Sequence, residues 1–464
     1  MKAHLTLLAA SLLLAACTTP PSPADSGIEP PATWQYLDTP GTQADNRQWW
    51  THFGSPQLDR LIEQARRDSH DLAAAMARVR QAQASAVVAG APLLPDIKAG
   101  LNGNRQELLR GKGYSQLDVD RDNRSLDYYD ANLSATYELD FWGGKRAARD
   151  SALDTLAASR FDRATVELTL LSGVANSYTQ ALSLDEQQRI AELNLANAQS
   201  VLDLVQTRYD AGSATALELS QQKSLVAAQQ RRLPQVQQQA REALVTLATL
   251  LGQPVQSVRL DAEDFDRLHW PSIDAGVPSD LLRRRPDIAA AEARLRAAAA
   301  DIQVARAAML PSVTLGLSLA SGADIADQVL RNTVYNLTAG LAAPVFNNGR
   351  LGAERDKATA RQEELLETYR AAIINGFADV EKALNGITGL ERQRQWQAEE
   401  LQQAQTAFDI AQRRYQAGAE DLLTVLETQR TLYAAQDTNV QLRLARMQAS
   451  VALYKALGGG WQPL

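Results

Sequence analysis

One thiol carries the clearest chemistry in this chain of 464 residues. Cys17 is its only cysteine, and it follows Leu14-Ala15-Ala16. Those residues end an apolar stretch, Leu5 to Ala16, that Lys2 precedes. Such a stretch is too short to span a bilayer and suits a signal-peptide core. Cleavage before Cys17 leaves an amine and a thiol on one residue, both open to acylation. This is the pattern of a lipoprotein signal, and a covalent lipid on Cys17 is the only cofactor expected. Each buried methylene of such a lipid contributes about 0.8 kcal/mol of anchoring. Thr18 follows the cysteine where an aspartate would hold a lipoprotein back, which favours passage to an outer membrane.

The rest of the inventory argues against catalysis. The four histidines, at 4, 52, 70 and 269, are not at metal-ligand spacing. G-x-S-x-G, P-loop and dinucleotide fingerprints are absent. Acidic residues lie mostly on helical faces, where solvated charge is ordinary. No catalytic, cofactor-binding or metal residues are expected, and the chain is not read as an enzyme. With 47 basic and 54 acidic side chains, and a formal net charge of −7, it offers no general surface for nucleic acid.

What positions such a chain is visible in a duplication. Shifted by 206, Arg208-Tyr209-Asp210-Ala211-Gly212 falls on Arg414-Tyr415-Gln416-Ala417-Gly418. The same shift places Leu251-Gly252 on Leu457-Gly458. Upstream the shift is 216, matching Asp71–Arg78 with Asp287–Arg294. The difference must arise between Pro95 and Gly143, and the polar stretch Gln106–Tyr129 is read as a loop longer in the first half. The organisation expected is a signal peptide over 1–16, an acylated proline-rich tether over 17–48, a first repeat over 49–252, a linker over 253–279, a second repeat over 280–458 and a tail over 459–464.

Each half opens with helical periodicity. Leu58, Leu61, Ile62, Ala65, Leu72, Met76 and Val79 predict a helix that stops before Pro92. Its counterpart starts near Asp280 and stops before Pro311, with Arg283-Arg284-Arg285 as a polar helix start. The period then becomes two. Ala131 to Phe141, Val313 to Leu319 and Tyr335 to Ala343 alternate with polar or small residues, and Ile97, Ala99 and Leu101 begin a weaker run. These lengths suit tilted transmembrane strands or half-buried soluble ones equally. Long helices follow over 145–209 and 350–415, with faces of Gln, Ala, Glu and Arg expected to be exposed. Gly212 and Gly418 suit C′ positions, Thr215-Ala-Leu-Glu218 suits a capping box, and Asp421 suits an N-cap. Pro234 should kink the returning helix.

Four membrane strands cannot close a barrel, and lipid does not tolerate bare sheet edges. If these strands lie in a membrane, several copies must therefore share one barrel, with the helices projecting into an aqueous compartment. That assembly is a conduit.

The chain resembles the TolC-like outer-membrane efflux proteins, in the lipoprotein branch typified by OprM and NodT. The resemblance covers nearly all of the mature chain. It rests on Leu14-Ala-Ala-Cys17, Trp49–Leu58, Tyr137–Lys145, Leu282–Ile288, Pro344–Gly349 and both Arg-Tyr-x-Ala-Gly hairpins. It implies a mixed, mainly α fold. Four transmembrane strands per chain would assemble as a trimeric 12-stranded β-barrel on a periplasmic α-helical barrel. It also implies a periplasmic adaptor and an inner-membrane pump, of the RND type, as partners, and a place in the outer membrane with a periplasmic extension. The function expected is passive export of small toxic compounds or drugs. A duct for type I protein secretion and a structural coiled-coil lipoprotein are the alternatives.

The family narrows its tube at the helix tips. Here that places Glu420, Asp421, Glu427, Arg208, Tyr209, Asp210, Glu218, Arg414 and Tyr415 at a periplasmic gate. Ala211, Gly212, Ala417 and Gly418 become candidate docking tips for the adaptor. Phe141 and Trp142 become candidates for an interfacial aromatic girdle.

Overall fold

A computed structural model describes residues 25–37, 46–107, 109, 125–261, 263–271 and 273–462. Cys17, with the signal segment, lies outside the described residues. The first half runs α1 (Pro56–Asp68), α2 (His70–Gly90), β1 (Asp96–Glu107), β2 (Ser125–Leu139), α3 (Gly144–Asp210) and α4 (Ala216–Leu250). The second repeats that order as α5 (Pro278–Arg284), α6 (Pro286–Ala307), β3 (Ser312–Ala323), β4 (Thr333–Ala342), α7 (Arg350–Gln416) and α8 (Leu422–Ala456). Both α3 and α7 have 67 residues, which is about 100 Å at ~1.5 Å per residue. Among the described residues no helix is long and apolar enough to cross a membrane. The chain divides into two compact units.

The first unit gathers the described residues of 79–159 and 291–369, with residues 25 and 26. Its core is one antiparallel sheet in the order β1-β2-β3-β4. Because side chains alternate across a strand, the register sorts them onto two faces. One face carries the rung Ile97, Ala135, Leu317 and Leu337, then Ala99, Leu133, Leu319 and Tyr335. It continues one way to Tyr137, Leu315 and Ala339 and the other way to Leu101 and Ala131, where Ser321 and Thr333 complete the rung. The opposite face carries Asp96, Thr136, Gly316 and Thr338, then Lys98, Ser134, Ser318 and Asn336. One face is thus apolar and the other polar. Among the described residues strands β1 and β4 each keep one unpaired edge, and β4 is exposed along its whole length.

The loop expected over Gln106–Tyr129 is shorter than that. Gln106 and Glu107 belong to β1, residues 125–129 belong to β2, and Glu107 pairs with Ser125. Beyond the apolar rungs Arg105 faces Asp127 at 3.8 Å, so the alternation that betrays a strand is lost where the pairing continues. At its other end β2 stops at Leu139, and Phe141-Trp142 form a turn into α3. Gly143 there has φ 72°. The Asp140 carboxylate caps α3 by accepting from the backbone of Lys145 (2.9 Å) and Arg146 (3.0 Å).

The second unit gathers residues 27–78, 160–290 and 370–464. The single opening helix expected in each half is in fact two. Ser69 adopts an extended backbone (ψ 125°) between α1 and α2. Arg285 does the same (ψ 119°) between α5 and α6, ahead of Pro286. Arg283 and Arg284 therefore close a helix instead of opening one. The two breaks are contacted alike. Gly252 and Gly458, past the ends of α4 and α8, lie so close that a Cβ would collide with the carbonyl of Asp68 and of Arg284 respectively. Helix α4 runs on through Pro234.

Two further segments are fastened to this unit. Trp34, read as part of the tether, is buried, donates its indole N–H to the Gly276 carbonyl (2.9 Å) and meets the Phe377 ring edge-on. The backbone N–H groups of Gln35 and Tyr36 both donate to the Glu381 carboxylate. In the linker, Trp270 is flanked by the guanidinium groups of Arg394 (4.0 Å), Arg443 (5.1 Å) and Arg446 (5.8 Å). Part of the tether and the linker are therefore packed onto the helices.

Candidate functional site

The candidate site is the pair of turns that join α3 to α4 and α7 to α8. Both end their first helix in one hydrogen-bond pattern. Gly212 N–H donates to the Tyr209 carbonyl and Ser213 N–H to the Arg208 carbonyl; Gly418 donates to Tyr415 and Ala419 to Arg414. This is the Schellman closure, which needs a left-handed residue at C′, and Gly212 and Gly418 have φ of 74° and 76°. Both glycines and their Ala211 and Ala417 neighbours are exposed, and a Cβ on either glycine meets nothing within 4 Å. Glycine is held here by backbone conformation, not by packing.

The returning helices are capped as the sequence predicts. Thr215 and Glu218 form a reciprocal capping box on α4. Asp421 accepts from Thr424 N–H (2.9 Å) and from the Thr424 hydroxyl (2.8 Å). These bonds hold the Asp421 carboxyl below its usual range.

The duplicated arginines diverge. Arg208 reaches from the first turn to the second and donates to the Tyr415 carbonyl (2.5 Å) and the Gln416 carbonyl (3.2 Å). Its guanidinium lies 4.2 Å from the centre of the Tyr415 ring. A cation at the C-terminus of α7 also complements that helix dipole. Arg414 stays within its own turn, pairing with Glu420 at 3.2 Å and donating to the Ala419 carbonyl. Tyr415 is 3% exposed, whereas its counterpart Tyr209 is 40% exposed. Burial pushes the Tyr415 phenol up, against the opposing charge and side chain of Arg208, and among the described residues its buried hydroxyl has no partner at full hydrogen-bond geometry. Asp210 accepts from Gln206 (2.9 Å), and Glu427 is exposed on α8.

So the structure joins Arg208 with Tyr415 and Arg414 with Glu420. It does not bring Asp210, Glu218 or Glu427 into those contacts. Below the turns an apolar cluster of Val205, Leu219, Phe408, Tyr415, Leu422 and Val425 packs the four helices. Four glutamines of the long helices expected on exposed faces are buried there or deeper: Gln187, Gln222, Gln397 and Gln429. The Gln222 and Gln397 amides donate to the carbonyls of Ala198 and Ala435. Helix propensity, which put glutamine outside, does not see such inter-helix bonds. Thr424 was also missed, although its spacing from Asp421 is the signal for it.

In the first unit, Phe141 is 59% exposed. Trp142 instead donates its indole N–H to the Pro311 carbonyl at 2.6 Å. Val345 and Phe346, at the equivalent junction after β4, are 95% and 85% exposed. Their place beside the Pro344–Gly349 motif was the available signal.

These features match one class of protein. The sequence profile described as "Outer membrane efflux protein" matches residues 61–253 and 277–459. The chain belongs to that family, and is a channel protein of the bacterial outer membrane. It is 63% identical over 460 residues to the pyoverdine export outer membrane protein OpmQ of Pseudomonas aeruginosa, covering 99% of this chain and 97% of OpmQ. Among solved structures, the outer-membrane channel OprN superposes with a TM-score of 0.88 at 27% identity, over 96% of this chain and 100% of that one. The open state of the Neisseria gonorrhoeae MtrE outer membrane channel superposes with a TM-score of 0.86 at 26% identity, over 96% and 98%.

Proposed function

We propose that three copies of this chain close one 12-stranded barrel and form the outer-membrane duct of a tripartite exporter, with a periplasmic adaptor and an RND-type pump as partners. One observation carries this: a four-stranded sheet with an apolar and a polar face whose two edge strands lack partners among the described residues. Open edges are not stable in lipid, and copies joined β4 to β1 keep the antiparallel order and close the ring. Acylated Cys17 adds a second hold on the membrane. The exposed Gly212 and Gly418 turns suit close docking by the adaptor. Arg208, Tyr415, Arg414, Glu420 and Asp421 hold the tips in a closed state, and Phe141 lies at the membrane boundary.

The cargo is pyoverdine or a molecule of its class. The support is the 63% identity with OpmQ across nearly the whole of both chains. The mass extracted in mild detergent should be three times the 50.5 kDa chain, less the signal peptide, and the trimer should conduct in planar bilayers. A stable monomer without conductance would overturn the duct. Expression in Pseudomonas aeruginosa lacking OpmQ should restore pyoverdine in the medium. Restored drug resistance without pyoverdine export would instead return the cargo to drugs.

A further inference from the structure

We propose that Asp130 sets the ion preference of the barrel lumen, as a ring of three carboxylates near its outward mouth. The inference rests on the trimeric duct proposed above. In such a barrel the apolar face meets lipid, so the polar face lines the water-filled interior. The register fixes which residues those are. Along the strands away from the helices, the polar-face rungs are Gly100, Asn132, Ala320 and Val334, then Asn102, Asp130 and Gly322, then Asn104 and Tyr128. Asp130 is the only charged side chain in those three rungs. Among the described strand residues the other charges on this face lie toward the helices and are matched: Asp96 pairs with Lys98 at 2.7 Å and Glu138 with Lys145 at 3.1 Å.

The Asp130 carboxylate is also held in place. The Asn102 side-chain amide donates to it at 2.9 Å and the Asn132 amide at 3.4 Å. Both donors are neutral, so they orient the carboxylate without cancelling its charge. Its neighbour on β3 is Gly322, which brings no side chain of its own to the rung. A threefold ring of fixed carboxylates in a pore with low-dielectric walls raises the local cation concentration and repels anions.

The test is the reversal potential of single channels across a KCl gradient. The wild type should reverse toward the potassium equilibrium potential. Asp130→Asn should move reversal toward zero, and Asp130→Glu should retain the wild-type value. A second variant guards against a folding defect at Asp130: Asn104→Asp, on the same face one rung further out, should strengthen cation preference. Unchanged reversal potentials in conducting D130N and N104D channels would overturn the proposal. A wild-type protein that forms no channel would overturn the duct reading instead.

Discussion

Arg208 and Arg414 hold equivalent positions in the two repeats but take different partners. Arg208 caps another helix and covers Tyr415, while Arg414 satisfies its own turn. Arg208→Ala removes two carbonyl bonds and a cation–π contact, about 1–3 kcal/mol of tip cohesion. Single-channel recordings should then show a several-fold higher open probability than wild type. Arg208→Lys should restore this only partly, because an ammonium lacks the planar stack. Tyr415→Phe should be neutral to within about 0.5 kcal/mol or slightly stabilising in chemical denaturation, since the hydroxyl it deletes is buried without a partner at full hydrogen-bond geometry among the described residues.

Asp287 carries a pH prediction. Burial raises its carboxyl, but the hydrogen bonds and charge of Arg285 outweigh that and leave it below the usual value. The native state therefore binds this proton less tightly than the unfolded chain does. The stabilisation is complete above the unfolded carboxylate value of about 4 and is lost as pH falls through the lower folded value. Melting temperature measured from pH 5 to 3 should fall further in wild type than in Asp287→Asn, which has no proton to gain.

At the level of elements, the contact that recurs is a glycine on a helix break. Gly252 and Gly458 have φ of 70° and 88° and abut the carbonyls of Asp68 and Arg284. Alanine at either site meets both a left-handed backbone and a backbone collision, so a loss of about 2 kcal/mol or more is expected. Gly212→Ala, strained but open, should lose only about 1 kcal/mol. Urea unfolding of the three variants checks the order.

These contacts also mark where the sequence was legible. The sheet, the long helices and the caps follow from local periodicity and turn chemistry, and Thr215, Glu218 and Asp421 could be named from spacing alone. The match of Leu251-Gly252 with Leu457-Gly458 was visible, but its reason was not, because it lies in the carbonyls of residues far away in the chain. The breaks at Ser69 and Arg285 were hidden for the same cause: apolar spacing continues across them while the backbone does not. Asp130, Tyr128 and Tyr129 fell at or beyond the edge of the apolar rungs, where a strand ceases to look like one. Within the turns, residue types pointed to Arg208 and Tyr415 separately. Only the fold shows that they touch.

For the whole molecule, the two faces of the sheet make opposite demands. Leu337 and Asn336 are neighbours on β4, but Leu337 shares a rung with Leu317 and Asn336 with Ser318. In the proposed barrel Leu337→Lys places a charge on the lipid side, costing about 2–4 kcal/mol per copy near the midplane. Asn336→Lys places the same charge in the lumen. Heat-resistant trimer recovered from outer membranes should fall sharply for L337K and stay near wild type for N336K. The reverse order would turn the sheet inside out.

The divergence of the two arginines has a consequence for symmetry. In the proposed trimer three chains present six turns of one backbone shape, so the ring would be nearly sixfold in geometry. Its chemistry is threefold, because turns that supply a brace alternate with turns that receive one. A partner built from six identical subunits would meet two kinds of seat in alternation, quasi-equivalent in form and unequal in strength. Duplication followed by divergence splits what would have been six equal positions into two interleaved sets of three, coupled because a change at Arg208 in one set is felt at Tyr415 in the other.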